Sequence, residues 1–103
     1  MQRDGAQAIL RLRRTDDGGL EAPVTSPTRG LLLDFVDPNG PSGHSLVGVV
    51  IDVGDGQSLE PGREEIHATI TPIFPENARF LTVGARFDLW MLRILGDGVI
   101  VAS

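Results

Sequence analysis

The residues in this chain best suited to chemistry are few. Gly43-His44-Ser45-Leu46-Val47-Gly48 sets a serine beside one of only two histidines. The pattern nears the Gly-x-Ser-x-Gly turn that presents a nucleophilic serine, but Val47 stands where the final glycine belongs, and that strained turn has no room for a side chain there. The following residues read as a strand, so a loop entering a strand is the expectation. His67 shares the polar face of an alternating segment with Glu65, Thr69 and Thr71. A metal site needs three or four convergent ligands, and a solvated or edge-facing histidine is expected instead. Asp37-Pro38-Asn39-Gly40 and Asp52-Val53-Gly54-Asp55-Gly56 lack the alternating oxygen ligands and distal glutamate of a calcium loop, and turn chemistry explains both. No metal, cofactor or catalytic set is expected, and the chain reads as a non-enzyme.

Two features point to binding. Arg11, Arg13 and Arg14 form the one basic cluster, with Arg11 and Arg13 at strand spacing on one face. They suit an anion or RNA backbone, or else a solvated face paired with carboxylates on neighbouring strands. Trp90 is the only tryptophan. In a regular strand it points away from Phe87, Leu89 and Met91, which puts it on the outer surface, where tryptophan is enriched at interfaces. The alternative is a rim residue covering an end of the fold.

The elements that must position these residues are strands. Ala8 to Arg13 alternates, as do Gly30 to Val36, Ile66 to Thr71 and the run Phe87, Leu89, Met91; that period of two marks half-buried strands. Ser45 to Val53 is mostly apolar and reads as a central strand with a bulge at Gly48. Arg93 to Val101 closes the chain. Thr15 to Gly19, Asp37 to Gly43, Asp55-Gly56, Leu59 to Gly62 and Val83-Gly84 are turn signals. Pro23 and Pro27 confine Leu20 to Arg29 to a sheet edge or extended loop. No window shows a helical period. Residues 1–7 are expected as a loose arm, and residues 8–103 as one domain. Six or seven short strands separated by Gly and Pro predict an all-β, closed or nearly closed antiparallel barrel. Leu10, Leu12, Leu31, Leu33, Phe35, Ile66, Ile70, Phe87 and Leu89 are its expected inward residues.

Composition narrows the function classes. Of 103 residues, 41% are hydrophobic and none is cysteine, which fits a globular fold without disulfides. All nine basic residues are arginine. The absence of lysine excludes a phosphate-binding P-loop. Net charge is −5, which disfavours nucleic acid, and no basic stretch interleaves with aromatics to make a stacking platform. No apolar run approaches the roughly 20 residues of a membrane span, and no signal peptide is visible; a cytoplasmic protein without a membrane partner is the expectation.

Three stretches together resemble the C-terminal (third) domain of elongation factor Tu and other translational GTPases. The first is Gly18-Gly19, then Pro23 and Arg29. The second is Leu59-x-Pro61-Gly62 before a strand that ends in Pro72-Ile73. The third is Arg86-Phe87-x-Leu89 followed by Arg93-x-Leu95-Gly96-x-Gly98-Val99. Order and most spacings agree from Ile9 to Val101. Two departures stand out: Pro27-Thr28 replaces the Gly-Tyr before the family's arginine, and Trp90-Met91-Leu92 replaces a Glu-Gly-Gly hairpin that lies near the tRNA arm in the full-length factor. The resemblance implies a six-stranded barrel and carries no GTP hydrolysis. The first functional expectation is a non-catalytic module that binds a protein partner, or a second copy of itself, through an outer face containing Trp90. The alternative is an RNA- or tRNA-associated accessory protein that uses Arg11, Arg13 and Arg29, with Arg93 a further candidate contact. An enzyme of unknown class is the residual one.

Overall fold

The computed structural model describes residues 5–54 and 56–103. Its strands are β1 (Ala6–Leu12), β2 (Val24–Thr25), β3 (Leu32–Val36), β4 (His44–Asp52), β5 (Ser58–Leu59), β6 (Ile66–Pro72), β7 (Arg86–Trp90) and β8 (Ile94–Ala102). Six of them close an antiparallel barrel in the order β1-β6-β4-β3-β7-β8, with β8 returning to β1. The two-residue strands β2 and β5 pair with each other outside it. This is the all-β barrel that the alternating pattern predicts. Three short 3-10 turns, Thr15–Asp17, Pro41–Gly43 and Pro75–Phe80, are the only helical elements among the described residues.

Several boundaries differ from the sequence expectation. Ala6 and Gln7, expected in a loose arm, begin β1 and pair with Ile70 and Thr69; the rest of that arm, residues 1–4, lies outside the described residues, as does Asp55 in its expected turn. Small Ala6 and polar Gln7 carry too little apolar signal to announce a strand, and it is the partner β6 that holds them. Gly48 is not a bulge: it sits in regular register opposite Leu32. The register shifts fall instead between Gln7 and Ala8 and between Leu89 and Trp90. The last barrel strand before the C-terminal hairpin ends at Trp90, so Met91 belongs to the turn, where its N–H donates to the Arg93 carbonyl.

Every inward residue named above is buried, with Leu10, Leu33, Ile70 and Leu89 fully so. Period-two alternation on a closed sheet requires this, because one face of each strand has only the interior to occupy. The interior is filled to its limit around Phe87. The Phe35 ring lies 5.4 Å from that of Phe80, stacked, and 5.5 Å from that of Phe87, tilted. Phe80 comes from the β6–β7 connection, so this column caps one rim. Opposite Phe87 in the β7–β8 register stands Gly98. A Cβ there would lie 2.6 Å from Phe87 Cζ and 2.8 Å from Leu10 Cδ2. Bulk on one strand is thus matched by its absence on the next. Gly98→Ala should destabilise the barrel by about 1–3 kcal/mol through overpacking. Urea unfolding of G98A, F87L and the double variant checks this: F87L should recover part of the loss in G98A, and strict additivity would refute the packing account.

Candidate functional site

With the barrel closed, no strand edge of the six is free to pair with another chain, so recognition falls to outward side chains and rim loops. On β3, β7 and β8 the outward positions include Asp34, Asp88 and Asp97. The register places Asp34 opposite Asp88 and Asp88 opposite Asp97. Three aspartates therefore form a row across three adjacent strands. Arg11 extends it onto β1, opposite Asp97. The Arg11 guanidinium grips Asp97 with two bonds, Nη2 to Oδ2 at 2.8 Å and Nε to Oδ1 at 3.2 Å. These bonds and the carboxylate charge hold Arg11 more firmly protonated than an ordinary arginine. At the other end, His44 Nδ1 lies 3.0 Å from Asp34 Oδ1. Asp88, in the middle, has no side-chain hydrogen bond or ion pair among the described residues.

Beside this row opens a cleft of about 560 Å³, lined by Trp90, Leu46, Phe80, Arg79, His44 and Asp34 among others. Trp90 points outward, as the alternation requires, and is half-buried against this cleft rather than freely exposed. Leu46 is half-exposed on its wall. The Arg79 guanidinium carbon sits 4.6 Å from the Phe80 ring centroid, a cation–π contact that turns its charge toward the rim.

Ser45 does not face His44. The two are successive residues of β4 and project to opposite sides of the sheet. The Ser45 hydroxyl donates to Asp37 Oδ2 at 2.7 Å, while the Asn39 N–H donates to Asp37 Oδ1 at 3.0 Å. The pairing of nucleophile with base is therefore not made there, and Asp37 serves as the turn acceptor of the β3–β4 loop. The same chemistry recurs at Asp52, whose Oδ1 accepts from the Gly54 N–H and the Ser26 hydroxyl. His67 lies on the surface with Nε2 4.0 Å from Glu65 Oε1, both well exposed. Among the described residues, no group of three or more His, Asp or Glu side chains is arranged to hold a metal ion, and no helix is long and apolar enough to cross a membrane.

The arginines named from sequence do not gather into one patch. Arg11 is bound to Asp97. Arg13 follows β1, exposed, and its carbonyl accepts the Gly62 N–H at 3.0 Å. Arg29 precedes β3, and β3 is three strands from β1 in either direction around the barrel. Arg93 stays exposed but lies along a neighbouring turn: Nε donates to the Gly18 carbonyl at 2.8 Å and Nη2 to the Gly19 carbonyl at 2.9 Å. It ties the β7–β8 hairpin to the turn after β1, where a Cβ on Gly19 would run into the Arg13 carbonyl. Gly18 and Gly62 both take positive φ in these turns, Pro23 leads into β2, and Pro61 precedes Gly62. Gly96 lies opposite Leu12 and Leu89, against the backbone of Arg11. These motif residues shape the turns and the β8 packing.

Sequence reading marked the β7–β8 hairpin as a departure from the resembled family but did not single out Leu92 at its tip. Leu92 has φ of 64°, in the left-handed region, and is 86% exposed; Met91 beside it is also exposed. A leucine there is disfavoured twice, by backbone strain of about 1–2 kcal/mol and by an apolar side chain left in water. The signal was present in the replacement of a Gly-Gly hairpin by Met91-Leu92. The aspartate row was beyond reach, because it exists only once β3, β7 and β8 are paired in register.

No protein-family model matches this chain, and no curated protein matches it.

Two measurements test the electrostatics. Like charges directly opposite on neighbouring strands destabilise a sheet. Asp88→Asn should therefore raise stability by about 0.5 kcal/mol, with the gain shrinking as salt is added; a loss of stability in a salt series would contradict the row. Asp37 titrates below its ordinary value because the Ser45 hydroxyl, first, and the Asn39 N–H favour the carboxylate. A depressed folded-state value means that this stabilisation is present at neutral pH and is lost as pH falls through it. Asp37→Asn should flatten the decline in melting temperature between about pH 5 and pH 2; an unchanged acid limb would remove Asp37 from the account.

Proposed function

We propose that this chain is a non-catalytic protein-interaction module, built on a barrel related to the third domain of elongation factor Tu. The closed six-stranded topology supports that relationship. So does the common rim of Gly18-Gly19, Pro61-Gly62 and the β7–β8 hairpin, the segments that carry the resemblance. Leu92 carries the functional reading. Backbone strain and an exposed apolar side chain coincide on a non-glycine residue at a hairpin tip, and such outliers cluster where a protein makes contact. Trp90 stands two residues away on the adjoining outer face. The contact is therefore a protein surface able to take in Leu92 and Met91, belonging either to another protein or to a second copy of this chain.

The RNA-associated reading has less support. Arg11 is neutralised by Asp97, Arg93 is bonded to backbone carbonyls, Arg29 is remote from β1 around the barrel, and three aspartates occupy the same outer face as Arg11. Counterion release would give RNA binding a steep salt dependence.

Leu92→Gly provides the test. Glycine relieves the positive φ and removes the apolar side chain, so the fold should stay within about 1 kcal/mol of wild type. Affinity purification from the native source, compared by quantitative mass spectrometry with sedimentation alongside, should show one specific protein, or the dimer, depleted at least tenfold in the variant. Identical recovery from both forms, with both monomeric, would refute the reading.

A further inference from the structure

The cleft beside Trp90 continues into a second one. A groove of about 440 Å³ runs over the aspartate row, lined by Asp34, Asp88, Asp97, Glu64, Arg11 and Arg86 among others. Asp34 lines both. The two form one track across the strands, acidic at one end and apolar at the other. Across the track four carboxylates face three guanidiniums, Arg79 being the one in the apolar cleft; in the groove over the aspartate row the ratio is four to two, and there Arg11 is already paired with Asp97.

We propose that this track receives an extended, basic segment of another protein, with one apolar side chain seated between Trp90 and Leu46. This rests on the interaction-module reading but uses different residues from the hairpin tip. The argument is charge complementarity. Asp88 is half-buried, flanked in register by two carboxylates, and without an ion-pair partner among the described residues. An arriving cation relieves that repulsion and gains a charge-assisted bond. A second copy of this chain is a poor occupant. Two-fold pairing of the same face sets one aspartate row near the other, and each chain carries a net charge of −5.

The geometry also sets a spacing. Neighbouring strands lie about 4.8 Å apart, so the three carboxylates span about 10 Å. In an extended segment every second side chain faces the same way, about 6.8 Å apart. Two basic residues at i and i+2 then straddle the three aspartates, and an apolar residue at i+4 reaches the cleft beyond Asp34. The recognised pattern is basic-x-basic-x-apolar, read in either chain direction.

A random dodecapeptide phage library panned on the wild-type protein tests this. Enriched peptides should share that pattern. Synthesised, they should shift the emission of Trp90, the only tryptophan in a chain without tyrosine, and bind more weakly as salt is raised. Asp88→Asn and Leu46→Ser, both surface changes, should each weaken binding at least tenfold, while Leu92→Gly should leave it unchanged. No enrichment, enriched peptides without basic residues, or equal affinity for D88N would overturn the proposal. If the track fails while Leu92-dependent partner recovery holds, only this inference falls; if partner recovery fails and the peptides still bind as described, the track stands and the hairpin tip loses its role.

Discussion

The interior of a six-stranded barrel has room for side chains and nothing else, and the rest of the molecule is arranged around filling it. Each strand contributes alternate residues inward, so their summed volume is fixed by the circumference. Phe35 and Phe87 take a large share of that volume, with Phe80 stacked on Phe35 from the rim. Gly98 is the complement, contributing no side chain where Phe87 and Leu10 meet. Because β8 must run past Phe87 at close range, Asp97 and Val99 are fixed as its outward residues on either side of Gly98. The outward chemistry of that strand follows from inward packing.

That coupling explains what was legible in the sequence. Leu10, Leu33, Phe35, Ile70 and Leu89 could be assigned to the core because period-two alternation survives without knowledge of the partner strands. Turn residues could be located because Gly, Pro and Asp act through local backbone angles. What depends on pairing was not readable. Gly48 looked like a bulge in isolation, yet it pairs regularly with Leu32, and a Cβ there would make ordinary contact with Ile73 at 3.5 Å. Ala6 and Gln7 looked like an arm because their strand character is supplied by β6. Arg11 could be read as an anion contact or as half of a cross-strand pair, and the register of β8 decides for the pair by setting Asp97 opposite; nothing in the sequence placed Arg93 beside the carbonyls of the turn after β1.

The outer surface is therefore divided by function of charge and shape. One region is bonded within itself, with Arg11 paired to Asp97 and His44 in hydrogen-bond contact with Asp34. Another holds carboxylate in excess at Asp88. The hairpin tip holds apolar surface in excess at Met91 and Leu92. Each excess lowers the stability of the isolated chain slightly, and each would be relieved by a complementary surface. A barrel without free edges is well suited to this division, since none of its backbone is available for unintended strand pairing.

The closing contact between β1 and β8 has a consequence for synthesis of the protein. Both neighbours of β1 come from later in the chain, β6 beginning at Ile66 and β8 at Ile94. As the polypeptide leaves the ribosome, Ala6–Leu12 emerges ahead of both its partners and stays unpaired until β6 and then β8 have followed. Only β3 and β4 can pair early, across the Asp37–Gly43 turn. Long-range pairing of this kind makes folding slow relative to helical domains of equal size. The barrel cannot close until β8 has been made, and until then β1 keeps an unpaired edge.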